Sequence, residues 1–392
     1  MPNEQPQQDS IEVAQRILSQ HFYGAVTLEA GATLRGSNRS HVVRCRVLQG
    51  PPNCPDSVVV KRALSQQDET YDPNSNEGPA MRLFNEWASL QFLSECFGEQ
   101  SPIPRFYGGD KEAGVFVMQD LGAEKGLDVL LRADDATAAE NALEGLFQVL
   151  GRMHAVSIGK ASRYRQLREA LGATQPGIVD KMADYANSFK NTLQLLGLEP
   201  HPQLEAELDA CVQMVLDPGP FAALIHCDPC PDNCLVTSQG VRLLDFELSQ
   251  FGLALWDGAY VRSHFPTCWC VNRIPQQMVE KVEAIYRTEL TRGCPQAADD
   301  KQFGMANVAG CACALFLTIR WGMPGLLEQD DEWGIATNRQ RVLVRLDALA
   351  RATERWQCFP VLGASARQLE AVLKAAWLPE MEEMRLYPAF RH

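Results

Sequence analysis

The chain has 392 residues, of which 46% are hydrophobic and 22% charged, so it can bury a large core in two lobes and is not globally disordered. Lys and Arg number 36 against 49 Asp and Glu, and the net charge of −13 argues against general nucleic-acid binding. No secretion signal is visible, no apolar run approaches the ~18 residues of a membrane span, and the thirteen irregularly spaced cysteines are typical of reduced thiols, so we expect a cytoplasmic protein with no membrane partner.

The N-terminal third predicts a small antiparallel sheet plus one helix, ending near residue 120. The first ~10 residues are polar and expected to be loose, and QRILSQHF then predicts a short helix. The stretches AVTLEAG, SHVVRCRVL and DSVVVKRAL predict three strands, separated by turn-rich RGSN and QGPPNCP. A helix follows over about Met81–Phe97, and GVFVMQDLG predicts another strand.

Helical periodicity predominates from residue 121 onwards. In NALEGLFQVLGRMHAVSIG, one helix face collects five apolar residues: Leu143, Leu146, Phe147, Leu150 and Met153. Helical patterns resume after the 230–247 region and continue to the C-terminus. We therefore predict an α+β, bilobal fold, with residues 1–120 as the sheet-rich N-terminal lobe and 121–392 as a larger, mainly helical C-terminal lobe.

The stretch LIHCDPCPDNCLV interrupts this helical region with a β-hairpin pattern. Cys234–Val236 predicts a short strand, TSQG a turn and Val241–Leu244 a second strand. Antiparallel pairing places the start of the first strand beside the end of the second, so Asn233 and Asp245 are predicted to meet. An amide oxygen and a carboxylate suit Mg²⁺, which keeps waters and takes further ligands from phosphates.

Asp228 lies five residues before Asn233, in a loop stiffened by Pro229 and Pro231. A carboxylate held close to a metal–phosphate site suits a base for a substrate hydroxyl. The alternative is that Asp228, Asp232 and Asn233 only cap turns.

The cysteines of this loop offer a rival interpretation, because Cys227, Cys230 and Cys234 could present thiolates to Zn²⁺. No second CxxC and no nearby HxxxH completes a tetrahedral set, and the pairs Cys268/Cys270 and Cys311/Cys313 have a spacing that is poor for chelation. We therefore favour buried thiols over a zinc site.

HCDPCPDN followed by LLDFE resembles the His-x-Asp-x₄-Asn and Asp-Phe-Glu motifs of the aminoglycoside phosphotransferase and choline kinase superfamily, which shares the protein-kinase fold. The resemblance extends over roughly residues 25–350, with the motifs in the expected order. It implies that Asp228 is the catalytic base and that Asn233 and Asp245 hold Mg²⁺. It also implies that His226 is structural and that Asp257, in LALWDGAY, braces the catalytic loop.

Lys61, at the end of the β-branched run SVVVKRA, is the residue that the resemblance assigns to the ATP phosphates and to an ion pair with a helix glutamate. Glu86 fits as the partner, because it is the one charge in a helical stripe of apolar residues: Leu83, Leu90, Leu93 and Phe97. The alternatives are that Lys61 is an edge residue and that Glu86 lies at the margin of the stripe, in water.

Gly36, Ser37 and Asn38 resemble the family's short Gly-Ser-Asn turn, whose backbone N–H groups could reach a phosphate, although a plain hairpin turn is equally compatible with the pattern.

VFVMQDLG resembles the strand and hinge that meet adenine, which implies that Met118 lines the pocket and that Gln119 to Leu121 form the hinge. The family more often has Glu where Gln119 stands. LGRMHAVS resembles a helix packed under the catalytic loop, and we expect His154 there to be a core histidine rather than a ligand.

Departures from the family pattern narrow the function. Cys227 replaces the usual glycine before the base, Phe246-Glu247 replaces the protein-kinase Phe-Gly, and no Ala-Pro-Glu or activation segment follows. The resemblance therefore implies a small-molecule kinase, which uses ATP and Mg²⁺ to phosphorylate a hydroxyl, rather than a protein kinase.

The net charge favours a cationic acceptor, similar to an aminoglycoside or an amino alcohol. The acidic stretch EQDDEW could meet amines or be a solvated loop. Five aromatic residues could form a cage for a quaternary amine or belong to the core: Trp256, Tyr260, Trp269, Trp321 and Trp333. A kinase of an apolar substrate such as a macrolide, and an inactive nucleotide-binding module, are the alternatives. The sequence indicates no oligomeric state.

Overall fold

The computed structural model describes residues 4–34, 39–65, 71–98, 101–174, 177–320 and 323–391. Within these residues the strands, in chain order, are β1 Thr27–Thr33, β2 Ser40–Gln49, β3 Ser57–Ala63, β4 Phe106–Asp110, β5 Val115–Gln119, β6 Lys125–Gly126, β7 Ala222–Ile225, β8 Cys234–Thr237, β9 Gly240–Leu243, β10 Gln250–Leu253, β11 Glu332–Trp333 and β12 Ala336–Thr337.

The helices of the same residues, in chain order, are α1 Glu4–His21, α2 Gly78–Phe97, α3 Leu127–Leu131, α4 Ala136–Ser157, α5 Ala161–Leu171, α6 Met182–Leu195, α7 Leu204–Leu216, α8 Leu255–Gly258, α9 Gln276–Thr291, α10 Asp300–Ile319, α11 Met323–Glu328, α12 Asn338–Trp356 and α13 Pro360–Trp377.

The chain forms two compact units. The first comprises three segments: Met1–Glu124, Ser162–Gln175 and Leu244–Ser249. The second comprises the rest: Lys125–Ala161, Pro176–Leu243 and Gln250–His392. Two segments from beyond residue 121 therefore belong to the first unit. The division into lobes at residue 120 stays a prediction.

The first unit is built on an antiparallel sheet with strand order β1-β2-β3-β5-β4. Helix α1 packs against this sheet through apolar residues at helical spacing, which are Ile11, Ala14, Ile17 and Leu18. These residues bury together with Val43, Val58 and Val60 of the sheet. The predicted helix begins earlier than the stretch QRILSQHF, at Glu4, so residues 4–10 are helical and not a loose segment.

Strand β4 was missed in the sequence, because its FYGGD pattern carries two glycines and little β signal. Gly108 has φ +146°, in the region that favours glycine, and coincides with an irregularity in the pairing of β4 with β5. A side chain at Gly109 would collide with the ring of Trp87 on α2. Close packing of α2 on the sheet therefore requires glycine at this position, and glycine is the residue type that weakens the strand signal in the sequence.

The second unit is mainly helical, with α10 at its centre in contact with α6, α7, α8 and α12. By length and composition α10 could cross a membrane, so the expectation that no stretch approaches that length is wrong. However, 83% of its apolar window is buried within the protein, which is typical of a core helix. Helix α4 packs against α9, and the five apolar residues predicted to share one of its faces are all buried.

The predicted hairpin in the second unit is confirmed as β8 and β9. Cys234 pairs with Leu243 and Thr237 with Gly240, which leaves Ser238 and Gln239 as the turn. The predicted α+β architecture, with a small antiparallel N-terminal sheet and a larger helical part, is also confirmed.

Candidate active site

Lys61 of β3 forms the predicted ion pair with Glu86 of α2 in the first unit. Its Nζ lies 2.5 Å from Oε2 of Glu86 and 2.9 Å from Oδ1 of Asp245. Lys61 and Glu86 are both buried, whereas the Asp245 side chain is 38% exposed. Glu86 therefore fixes the ammonium from inside the unit, while Asp245 keeps a carboxylate at the surface.

Burial and the charges of this cluster together determine the pKa values of Lys61 and Glu86. Burial lowers the pKa of Lys61, but Asp245 and Glu86 outweigh that effect, so the pKa lies above its ordinary value and the ammonium stays charged. Burial raises the pKa of Glu86 to about 7, against the opposing effect of Lys61. One ammonium thus serves two carboxylates, and a further cation would be favoured beside Asp245.

The segment that carries Asp245 is fastened to the first unit by contacts that the sequence analysis did not foresee. Asn85 of α2 donates through Nδ2 to the backbone oxygen of Glu247 over 3.1 Å, and Arg168 holds the Asn85 amide oxygen at 2.7 Å. Tyr164 donates its hydroxyl hydrogen to the backbone oxygen of Ser249 over 3.2 Å. Asp245 itself has φ +62°, a conformation that Asp adopts more readily than most residues.

Met118 is buried in β5 and pairs with Val59, whereas Gln119 is exposed at the end of the strand. The N–H of Gln119 donates to the backbone oxygen of Arg105 over 2.8 Å. This backbone donor of the predicted hinge therefore already has a hydrogen-bond acceptor within the first unit. Leu121 follows in the segment after β5. The adenine contacts predicted for Met118, Gln119 and Leu121 remain predictions.

Asp120, which lies within the predicted hinge but was given no role of its own, fixes the chain directly after β5. Its carboxylate accepts hydrogen bonds from the hydroxyl of Ser57 over 2.7 Å and the N–H of Gly122 over 3.0 Å, and it pairs with Arg44 at 2.8 Å. Burial alone would raise the pKa of Asp120, but these donors outweigh it and lower the pKa. The phosphate-turn residues Gly36, Ser37 and Asn38 lie outside the described residues.

Asp228, in the second unit, has one carboxylate oxygen held by three donors. Oδ1 accepts hydrogen bonds from the Thr267 hydroxyl, from the Tyr260 hydroxyl over 3.1 Å and from the Cys230 thiol over 2.9 Å. Among the described residues, Oδ2 has only a long contact of 3.5 Å, to Nδ2 of Asn233. The carboxylate is therefore fixed in orientation with one oxygen available for a substrate proton.

Asp257 braces the backbone before Asp228, as the family resemblance implies. Its fully buried carboxylate accepts the N–H of His226 over 2.6 Å and the N–H of Cys227 over 3.1 Å. Cys227 has φ +68°, which explains why the family usually has glycine at this position. The hydrogen bond from the Cys227 N–H to Asp257 is therefore made at the same residue whose left-handed backbone turns the chain toward Asp228.

His154 is a core histidine, as predicted. Its ring is fully buried, with Nε2 at 3.2 Å from Oδ2 of Asp257 and Nδ1 at 2.8 Å from the hydroxyl of Tyr286. Tyr286 in turn donates to the backbone oxygen of Ala254 over 3.0 Å. His154 therefore supports the brace instead of contacting a ligand.

Asn233 ends a single 3₁₀ turn immediately before β8. Its Nδ2 donates to the backbone oxygen of Asp228 over 3.0 Å, so Asn233 and Asp228 are held in one loop. Asp245 follows the paired residue Leu243 by two positions and belongs to the first unit with Lys61 and Glu86. The assignment of Mg²⁺ to Asn233 and Asp245 stays a prediction.

Four of the five aromatic residues considered as a cage lie in the described part of the chain, and each has a contact within the protein. Trp256 and Tyr260 are buried, and Trp256 donates its indole N–H to the backbone oxygen of Cys227 over 3.4 Å. The ring of Trp269 is faced by Arg132 at 5.1 Å and that of Trp333 by Arg341 at 4.3 Å. Trp321 lies outside the described residues. Most of the acidic stretch at 328–333 is exposed, consistent with a solvated loop.

All thirteen cysteines are free. Cys227, Cys230 and Cys234 are buried, and burial raises their thiol pKa values. Within the described part of the chain, the donor atoms of these three residues do not gather into a group that could hold one ion. The preference for buried thiols over zinc at this triplet stays a prediction.

Comparison with known proteins gives one family match. A family model described as "Phosphotransferase enzyme family" matches residues 47–280, which is more than half of the chain. No curated protein sequence matches the chain.

Solved structures that match the chain include two choline kinases and a macrolide kinase. The choline kinase from Cryptosporidium parvum Iowa II has a TM-score of 0.47 and 11% identity, with 90% of this chain and 94% of that chain covered. Choline kinase LicA from Streptococcus pneumoniae has a TM-score of 0.42 and 16% identity, with coverage of 82% and 94%. Macrolide 2′-phosphotransferase MphH from Brachybacterium faecium has a TM-score of 0.42 and 15% identity, with coverage of 80% and 94%. At these scores the three structures do not indicate an acceptor for this chain.

Proposed function

We infer the function of this chain from its family: it belongs to the phosphotransferase enzyme family and is a small-molecule kinase. We propose that it transfers the γ-phosphate of ATP, with Mg²⁺, to a hydroxyl group of a small cationic molecule. The proposed location is the cytoplasm, on the sequence argument alone.

The orientation of Asp228 carries this proposal. Three donors fix Oδ1, and Oδ2 is left with one long contact among the described residues. A carboxylate restrained in this way can align an acceptor hydroxyl and take its proton as the oxygen attacks phosphorus. In phosphoryl transfer such positioning and charge stabilisation supply most of the rate enhancement.

The first unit offers the groups for the phosphate donor. Lys61 is kept protonated by Asp245 and Glu86, so its ammonium suits phosphate oxygens. The partly exposed carboxylate of Asp245 is a hard oxygen ligand of the kind that Mg²⁺ prefers, and the second ligand that we propose is the amide oxygen of Asn233, which belongs to the second unit. When bound, Mg²⁺ would neutralise phosphate charge, while Glu86 keeps Lys61 in place.

The charge of the chain supports a cationic acceptor. The net charge is −13, and the exposed Asp232 lies four residues beyond Asp228 in the same loop. An amine carried near that loop would gain from both carboxylates. A macrolide acceptor and an inactive nucleotide-binding module are outcomes of the test below.

The experiment measures ATP consumption by the purified chain over a panel of alcohols: choline, ethanolamine, several aminoglycosides and a macrolide. We expect turnover with at least one amine-bearing alcohol and its loss in Asp228→Asn. Asp209→Asn, which removes the charge of an exposed carboxylate on α7, is the matched control and should behave as the parent. Turnover with the macrolide alone would refute the cationic acceptor. ATP binding without consumption of any panel member would favour the inactive module.

A further inference from the structure

A second group of donor atoms lies beside Asp228 in the second unit. The Sγ atoms of Cys230 and Cys268 and a carboxylate oxygen of Asp232 all lie within 4.8 Å of one another. Both cysteines are buried and Asp232 is exposed, so the group has a buried sulfur side and a solvent side. Sequence spacing does not predict this group, because its donors come from two separate segments of the chain.

The segment that supplies Cys268 is held rigidly. Arg341 donates to the backbone oxygen of Cys268 over 2.8 Å, and Arg345 donates to that of Pro266 over 2.7 Å. The indole N–H of Trp269 donates to Oδ2 of Asp232 over 2.8 Å, which links this segment to the Asp228 loop. The donors are therefore arranged before any ion arrives, a condition that favours binding.

The thiol of Cys270 lies next to Cys268 but does not belong to the group of donor atoms that all lie within 4.8 Å of one another. The Sγ of Cys270 lies 3.1 Å from the Sγ of Cys268, and both residues are fully buried. The two thiolates and one carboxylate of the group suit a soft or borderline cation with tetrahedral geometry and one further position, with Zn–S bonds of about 2.3 Å. Mg²⁺ prefers oxygen ligands, so the group is chemically distinct from the Asn233 and Asp245 pair.

We propose that Cys230, Cys268 and Asp232 form a binding site for a thiophilic divalent cation, Zn²⁺ or Cd²⁺. Binding releases the proton of each thiol that coordinates, and the released protons pass to solvent or buffer. With two thiolates and one carboxylate, the occupied site carries a net charge of −1.

Occupancy of this site lowers turnover, a consequence that rests on the function proposed above. The Cys230 thiol donates to Oδ1 of Asp228 over 2.9 Å. When Cys230 coordinates as a thiolate it has no proton to donate, so Asp228 loses one of its three donors and faces a negative sulfur. The ion thereby inhibits transfer without occupying the Mg²⁺ position.

The binding test uses Cd²⁺ alone, added to the full chain after metal removal and followed by the ultraviolet thiolate-to-metal charge-transfer band. We expect one ion per chain in the parent. Cys268→Ala and the exposed-site variant Asp232→Asn should each weaken binding by more than about tenfold. Cys54→Ala, which removes a half-buried thiol of the first unit, is the control and should bind as the parent. Circular dichroism measures whether each variant is folded. If Cys268→Ala does not fold, the result for Asp232→Asn decides the question.

The activity test measures inhibition by Zn²⁺ at saturating Mg²⁺, relative to the metal-free rate of each variant. We expect Cys268→Ala and Asp232→Asn to resist concentrations that inhibit the parent and Cys54→Ala. Absence of a stoichiometric thiolate band in the parent, or binding by the site variants that is as tight as in the parent, would overturn the site. Binding without inhibition would refute the coupling to Asp228. The Cd²⁺ titration needs no acceptor, so its result stands even if the proposed kinase activity fails.

Discussion

Thr267 donates its hydroxyl hydrogen to Oδ1 of Asp228, although the two residues are 39 positions apart in the chain. Tyr260, from the same later segment, donates to the same oxygen. A hydrogen bond to a charged group is worth about 1.5–3 kcal/mol, and about 1.4 kcal/mol corresponds to tenfold in rate when the bond orients a reacting group. Thr267 is therefore a positioning residue for the proposed base.

Thr267→Val removes this donor while keeping the shape of the side chain. We expect kcat to fall by about tenfold, with the KM for ATP unchanged, because Tyr260 and Cys230 still hold the carboxylate. Thr267→Ser restores the hydroxyl and should recover most of the rate. Steady-state kinetics of the parent and the two variants measure kcat and the KM for ATP separately. A Thr267→Ser variant as slow as Thr267→Val would contradict a role for the hydrogen bond.

The cluster of Lys61, Glu86 and Asp245 predicts an asymmetry in stability. Lys61→Met leaves two carboxylates facing each other, one of them buried, and should lower the free energy of unfolding by about 3–5 kcal/mol. Glu86→Gln leaves Lys61 paired with Asp245 and should cost about 1–3 kcal/mol. Urea unfolding of both variants at neutral pH measures the difference, and equal losses would show that Asp245 does not support the ammonium.

The same variants should differ in their pH dependence. Burial raises the folded-state pKa of Glu86 to about 7, above the unfolded value of about 4.3. Between these values the folded state holds more protons, so the contribution of Glu86 to stability falls as pH rises through this window. Removal of Lys61 takes away the group that opposes this shift. Lys61→Met should therefore gain stability from pH 8 to pH 6 relative to the parent, and Glu86→Gln should not.

Local patterns in the sequence predicted the parts of the site that depend on neighbours in the chain. The hairpin β8–β9 follows from two short apolar runs around a turn, and its register pairs Cys234 with Leu243. Glu86 could be assigned to Lys61 because it is the single charge in an apolar helical stripe, and a buried carboxylate needs a cation.

The remaining contacts could not be predicted, because they join polar residues far apart in the chain with no periodic signal. Thr267, Asn85 and Asp120 each look like ordinary surface residues in the sequence, yet each fixes the backbone or the side chain of a proposed functional segment. Strand β4 was hidden for a different reason, since it carries two glycines, of which Gly109 is required by the packing of Trp87.

Cys227 predicts a reversal of the usual preference for alanine over glycine. At φ +68° a residue with a Cβ is strained by about 1–2 kcal/mol, whereas glycine is not. Cys227→Gly and Cys227→Ala both remove the thiol, so their difference isolates the backbone. We expect the Gly variant to be the more stable by about 1 kcal/mol in urea unfolding. A more stable Ala variant would show that this segment does not adopt the left-handed backbone.

The proposed division between nucleotide binding and acceptor activation predicts different defects in Asp228 and Asp245. Asp228→Ala should abolish phosphoryl transfer and leave the affinity for Mg·ATP nearly unchanged, since the proposed role of Asp228 is confined to the attacking hydroxyl. Asp245→Asn removes a negative charge from the proposed Mg²⁺ ligands, so it should lower turnover by orders of magnitude and also weaken Mg·ATP binding.

Both variants should stay folded, because Glu86 still holds Lys61 and because Asp228 is only partly buried. Calorimetric titration with ATP, at fixed Mg²⁺, measures the affinities, and a coupled assay with any accepted alcohol measures turnover. Wild-type turnover in Asp228→Ala would refute its role as the base. Unchanged Mg·ATP affinity and near-normal turnover in a folded Asp245→Asn would remove Asp245 from the metal site, because a lost carboxylate ligand must raise the concentration of Mg²⁺ required.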